Sequence, residues 1–214
     1  MIKKPSKDAQ VRRSFQLADI RAVEDGTYIE GHPAVYNQRA NIGNWFYEVI
    51  ERGAFDSCDF DDVLFSVNHD LRKIPLARSR RNNQNSTMQL NVDVAGLSVK
   101  ADLDIEGNNE AKSLYSAVQR GDIDGMSFIF YVEEERWVDL DKDMPTRYIS
   151  KVKRVREVSA VNFPAYEGTD INARDREALD NAKATLDNVR SNELDNSKEQ
   201  MEVLKLKNEI LMKG

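Results

Sequence analysis

At 214 residues the chain has room for one ordinary domain of roughly 100–200 residues plus an appendage, and with 40% hydrophobic and 32% charged residues some segment of it is not core. A net charge of −6 excludes nucleic-acid binding that rests mainly on neutralising phosphates, though a local basic patch is still allowed, and a lone cysteine excludes an internal disulfide framework and suits a reducing compartment. No apolar run approaches the roughly 20 residues that span a bilayer, and the start MIKKPSKDAQVRRSF lacks the apolar stretch of a secretory signal, so the expected place of work is the cytoplasm that makes the chain.

Residues 1–13, charged and without periodicity, are expected to be a flexible start. From there to position 166 the chain reads mostly as strands, with alternating or short apolar runs at 31–36, 63–67, 87–94, 97–103, 126–132 and 158–163. Asp25-Gly26, Ala95-Gly96 and Asp124-Gly125 are turn signals between them. One helix interrupts at 109–120, with Asn108 or Asn109 as its cap. Its apolar face is Ala111, Leu114, Tyr115 and Val118, and Gly121 stands where a positive φ ends a helix. Many short strands and few helices point to a mainly β (α+β) domain, an antiparallel barrel or sandwich. After position 166 there is no Trp, Tyr, Phe or Pro. Leu179, Ala182, Leu186 and Val189 recur there at helical spacing, with a second short stripe at Leu204, Ile210 and Leu211, so 176–214 is expected to be a helical tail. Such a tail reads first as a solvated amphipathic helix and second as a coiled-coil or docking segment.

Chemistry must come from few residues. A base that titrates near neutrality is either His32 or His69, the only two histidines. His69 follows the apolar run 63–67 between Asn68 and Asp70, at the rim of a buried strand, where it is a structural histidine or a base. His32, beside Pro33, suggests packing or a solvent-facing ring. Alternation along 126–131 sends Met126, Phe128 and Phe130 to one face and Ser127, Ile129 and Tyr131 to the other, so Ser127 is either a satisfied core serine or a nucleophile. Its setting is not the G-x-S-x-G elbow. Cys58 with His69 is a conceivable thiol dyad, although the Gly53–Cys58 stretch looks like a surface turn entering a helix. Arg78-Ser79-Arg80-Arg81 reads as a solvated loop that could touch phosphate. Neither a metal site nor a bound cofactor is expected, because H-E-x-x-H, C-x-x-C and the phosphate-loop motif are all missing from the sequence.

Taken in order, five segments between Ser14 and Asp175 resemble the prohead protease family of tailed bacteriophages. They are Ile29-Glu30-Gly31-His32-Pro33-Ala34-Val35-Tyr36-Asn37, Glu48-Val49-Ile50-Glu51-Arg52-Gly53-Ala54-Phe55, Asn68-His69-Asp70 with Pro75-Leu76-Ala77-Arg78, Gly125-Met126-Ser127-Phe128-Ile129-Phe130, and Glu157-Val158-Ser159-Ala160-Val161-Asn162-Phe163-Pro164-Ala165. The resemblance implies a protease domain at 14–175 with an assemblin-like antiparallel β-barrel and packed helices, shared with herpesvirus maturation proteases. It implies a serine endopeptidase, free of cofactor and metal, that works in the host cytoplasm inside the assembling prohead. Its substrates would be scaffold, capsid-protein extensions and itself, with no membrane or nucleic-acid partner, and herpesvirus relatives suggest a dimer. Residue by residue, the nucleophile maps to Ser127 and the base to His69. The acid that orients the base maps to Glu157, which could equally be a surface ion pair in the alternating basic strand 151–157; Asp70 and Asp124 are the spare candidates. Two departures, Ile129 and Ala77 in place of glycines, would narrow a cleft. Two other readings stay open at this point: a non-catalytic capsid assembly or scaffolding module that works through its tail, and a hydrolase acting on something other than peptides.

Overall fold

The alternating apolar runs become strands, and the strands assemble into two sheets. The computed structural model describes residues 10–14, 20–23, 27–42, 44, 46–139 and 142–162, with single positions at 184, 187, 191 and 201. In chain order the elements are β1 (Gln10–Ser14), β2 (Ile20–Ala22), β3 (Tyr28–Val35), β4 (Arg39–Ile42), β5 (Phe46–Ile50), β6 (Val63–Val67), β7 (Ala77–Ser79), β8 (Met88–Val92), β9 (Gly96–Asp102), α1 (Asn109–Gln119), β10 (Gly125–Val138) and β11 (Thr146–Val161). A seven-stranded sheet runs β1-β10-β11-β5-β4, with β6 joined to both β11 and β7, and a four-stranded sheet runs β2-β3-β9-β8.

The long strand β11 organises the larger sheet. One edge is lined antiparallel by β10, while the other holds β5 against Thr146–Ile149 and β6 against Glu157–Ala160, both parallel. The other strand pairings are antiparallel, as expected, and these two parallel ones qualify the expectation for a reason of chain path. Parallel neighbours need a crossover of about a dozen residues or more, and β5 and β6 reach β11 only after the chain has built β8, β9, α1 and β10. The helix content is as low as expected. Up to residue 162, α1 is the one helix among the described residues, at the position the sequence indicated. One expectation is corrected at the start of the chain, because Gln10–Ser14 pairs with Tyr131–Ser127 of β10, so 10–13 is not a flexible lead. An edge of β10 left open would present unpaired N–H and C=O groups, and β1 satisfies them. The expected tail at 176–214 lies outside the described residues apart from Ala184, Asp187, Ser191 and Met201, which are helical and exposed.

Local chemistry explains α1 and the way it docks. The Asn108 side chain accepts from the backbone N–H of Glu110 and Ala111, at 2.9 and 3.3 Å, satisfying two of the four orphan donors of the first turn. Ala111, Leu114 and Val118 are buried, and the Tyr115 hydroxyl donates to the Val23 carbonyl at 2.6 Å. Gly121 ends the helix at φ 77°, a left-handed value that glycine takes without strain. The core lies between the sheets. Phe128 and Phe130 stack at 4.4 Å, Phe55 meets Phe128 at 6.2 Å, and Phe65, Met126, Val155 and Val158 close around them. Burying these rings removes so much apolar surface that β10 is fixed in register, since a one-residue slip would turn Phe128 out and Ser127 in.

Candidate active site

The register of three neighbouring strands puts three serines in a row. Ser127 on β10 faces Ser159 on β11, and Ser159 faces Ser66 on β6. Two positions before Ser159, on the same face by strand alternation, stands Glu157, opposite Ile129. The face that carries Met126, Phe128 and Phe130 belongs to the core, as the alternation requires.

His69 reaches this row from a turn. Asn68 and His69 follow β6 with φ of 50° and 58°, two successive left-handed residues that fold the chain back over β11. Asparagine tolerates that region well; histidine holds it because the turn is anchored on both sides. The Asn68 N–H donates to the Ala160 carbonyl at 2.9 Å, its side-chain oxygen accepts from the Asn162 N–H at 3.0 Å, and the His69 N–H donates to Ser159 Oγ at 2.9 Å. Thus fixed, the imidazole places Nε2 2.6 Å from Ser127 Oγ and Nδ1 2.7 Å from Glu157 Oε2. With the proton on Nδ1, donated to the carboxylate, Nε2 is left to accept from the serine hydroxyl. The other oxygen of Glu157, Oε1, accepts a short hydrogen bond from the Ser66 hydroxyl.

All of this is dry. Ser127 and Ser159 are 0% exposed, Glu157 1% and His69 8%. The Ser127 hydroxyl is thus covered on all sides in this arrangement. Hydrogen bonds in such a setting are stronger than in water, and each polar group must be satisfied.

The structure brings Ser127, His69 and Glu157 together and leaves the other candidates apart. Asp70 turns away to Arg72, whose guanidinium bonds it at 2.9 Å and holds its carboxyl below the usual range, and Asp124 is exposed. His32 pairs with Asp93 at 2.8 Å in the four-stranded sheet region. Residues 52–57 are turns with no helix after them, and burial pushes the Cys58 thiol up to about 12, so it stays protonated and is no nucleophile at neutral pH. Arg78 lies within β7, not in a solvated loop, and forks onto Asp62 at 2.6 and 2.8 Å. Ser66 and Ser159 were missed in the sequence. A serine in a buried strand reads as a small core residue, and only the pairing register shows that these two line up with Ser127. Among the described residues no group of three His, Cys, Asp or Glu side chains could hold a metal ion, and no helix is long and apolar enough to cross a membrane.

Comparison with known proteins adds a family. The family model described as "Caudovirus prohead serine protease" matches residues 16–184. Among curated proteins, the chain is 28% identical over 166 residues to the prohead protease of Enterobacteria phage HK97, an alignment covering 75% of this chain and 66% of that protein. The chain thus spans just under two thirds of that relative's length. The solved structure of the bacteriophage T4 capsid assembly protease is similar with a TM-score of 0.43 and 14% identity, over 71% of this chain and 96% of that one.

Proposed function

Because the chain belongs to the caudovirus prohead serine protease family, we propose that it is a serine endopeptidase in which Ser127 is the nucleophile, His69 the general base and Glu157 the acid that orients the base. The observation that carries this reading is a single imidazole hydrogen-bonded on one nitrogen to a buried serine and on the other to a buried carboxylate. Ser127 Oγ is a weak nucleophile at its own pKa. His69 Nε2 takes its proton as Oγ attacks the scissile carbonyl, and returns that proton to the departing amine as the acyl-enzyme forms. A water then repeats the sequence to release the acid. Glu157 keeps the proton on Nδ1 and stabilises the imidazolium without being protonated itself.

The substrates on this reading are major capsid protein extensions, scaffold and the chain itself, cut inside the assembling prohead in the host cytoplasm, by a dimer that needs no cofactor. The two sheets would be halves of an assemblin-like barrel, a view supported by the seam where the Arg78 N–H donates to Thr87 Oγ1 at 2.9 Å, from β7 of one sheet toward β8 of the other. Complete burial of Ser127 favours a latent state released on assembly.

Co-expression with the phage's own capsid and scaffold proteins, wild type beside Ser127→Ala, tests the reading. Wild type cuts the partners and Ser127→Ala does not; equal cutting by both would overturn it, and no cutting by either would favour the non-catalytic assembly module. Mass spectrometry of the same samples shows whether 176–214 is removed in wild type only, as self-cleavage requires.

A further inference from the structure

The hydrogen bonds around Glu157 close into a ring whose two arms both donate toward the carboxylate. A carboxylate has no proton to give, so both its oxygens accept: Oε2 from His69 Nδ1–H and Oε1 from the Ser66 hydroxyl. Ser66 has only one hydroxyl proton. Once that proton is directed to Oε1, its contact with Ser159 Oγ at 3.1 Å requires Ser159 to donate. Ser159 in turn accepts the backbone N–H of His69 at 2.9 Å. One arm therefore runs from the His69 backbone N–H through Ser159 and Ser66 to Glu157, and the His69 ring closes the loop by donating to the same carboxylate from its other side. Ser159 has a competing acceptor, the Ala160 carbonyl, but at 3.4 Å it is the longer of the two.

We infer that Ser66 is a positioning residue for the proposed protease reaction, fixing the carboxylate of Glu157 and sharing its charge so that His69 is held in one orientation and one tautomer. Ser159 is the second link, tying the carboxylate to the backbone that carries the imidazole. The two serines sit in the row set by the pairing of β6 and β11, so the rigid sheet, and not a loop, sets the direction of the carboxylate. Glu157 is 1% exposed and Ser66 7%, so solvent has little room to replace the hydroxyl. The charged groups next to His69 in the chain leave the circuit alone: Asp70 bonds Arg72, and Lys73 bonds Glu110.

The inference rests on the protease reading for its meaning, and its test is separable from that reading. The imidazole titrations of both histidines are followed by NMR in full-length Ser127→Ala protein, which cannot cut itself on that reading, with and without Ser66→Ala. Loss of the hydroxyl concentrates the carboxylate charge on the side facing the ring, so the His69 titration moves upward while that of His32, in the other sheet region, stays put. In the wild-type background Ser66→Ala slows cleavage of co-expressed capsid protein by about tenfold, the scale of one hydrogen bond to a charged group. Ser159→Ala shifts both readouts the same way by less, and it decides the matter if Ser66→Ala does not fold. A His69 titration unmoved by either substitution overturns the inference, whatever the cleavage gels show. Cleavage that survives Ser127→Ala overturns the protease reading and leaves the titration result to stand on its own.

Discussion

The molecule holds two histidine–carboxylate pairs of nearly equal length, His69 with Glu157 at 2.7 Å and His32 with Asp93 at 2.8 Å, and their surroundings differ. The side chains of the first pair are 6% and 1% exposed, those of the second 24% and 40%. At the second pair, Asp93 Oδ1 is occupied by the N–H groups of Ala95 and Gly96, so the carboxylate closes a turn between β8 and β9 and the histidine braces it. At the first pair the far nitrogen of the ring meets a buried serine hydroxyl. Distance between imidazole and carboxylate therefore says little; what surrounds the pair decides whether it can move a proton.

The comparison breaks most easily at the rings. His69→Ala is expected to reduce proteolysis by about a thousandfold or more, as loss of a general base does, while His32→Ala stays within about twofold, measured as cleavage of co-expressed capsid protein over time. Equal effects of the two would dissolve the distinction. Next come the carboxylates. Glu157→Gln, which keeps shape but no longer favours the proton on Nδ1, is expected to cost about a hundredfold or more in the same assay, whereas Asp93→Asn leaves the rate unchanged. The smallest effect is on stability. Burial pushes the Asp93 carboxyl up, but the hydrogen bonds from His32, Gly96 and Ala95 outweigh it and hold the group below the ordinary carboxylate range. Its contribution is thus present above about pH 4 and is lost as pH falls through the lowered value. With the side chain 40% exposed it is below about 1 kcal/mol, so thermal melts of Asp93→Asn and wild type should differ slightly at pH 7 and converge in acid.

Sequence and structure agree where local signals are strong. Strand β6 matches the expected 63–67, α1 has Asn108 as its cap and Gly121 past its end, and Met126, Phe128 and Phe130 face the core. Ser127 and His69 could be picked out as candidates because their motifs occur in order, although neither residue is distinctive by itself. Long-range pairing was not legible. Strand β5 escaped notice because its buried Glu48 interrupts an apolar pattern, and that acid is compensated by a partner from far along the chain, Arg147, which bonds it at 3.1 Å. Glu157 sits in an alternating charged strand in which its own face depends on irregularities in the pairing of β10 with β11, the nearest between Ile129 and Phe130. No periodicity shows such a bulge before the partner strand is known. The parallel pairing of β11 with β5 and β6 is hidden for the same reason.

Strand β11 also sets a clock. Without it the larger sheet falls into three fragments, β1 with β10, β4 with β5 and β6 with β7, because each is joined to the others only through β11. As a ribosome extends the chain, the segments bearing His69 and Ser127 emerge first, with nothing yet to align them. Only when Thr146–Val161 has emerged and inserted can the fragments zip together, and the same strand delivers Glu157. A nascent or truncated chain ending before that strand carries the histidine and the serine without the strand that pairs with both of theirs, so on the proposed reading cleavage begins after the domain has been made.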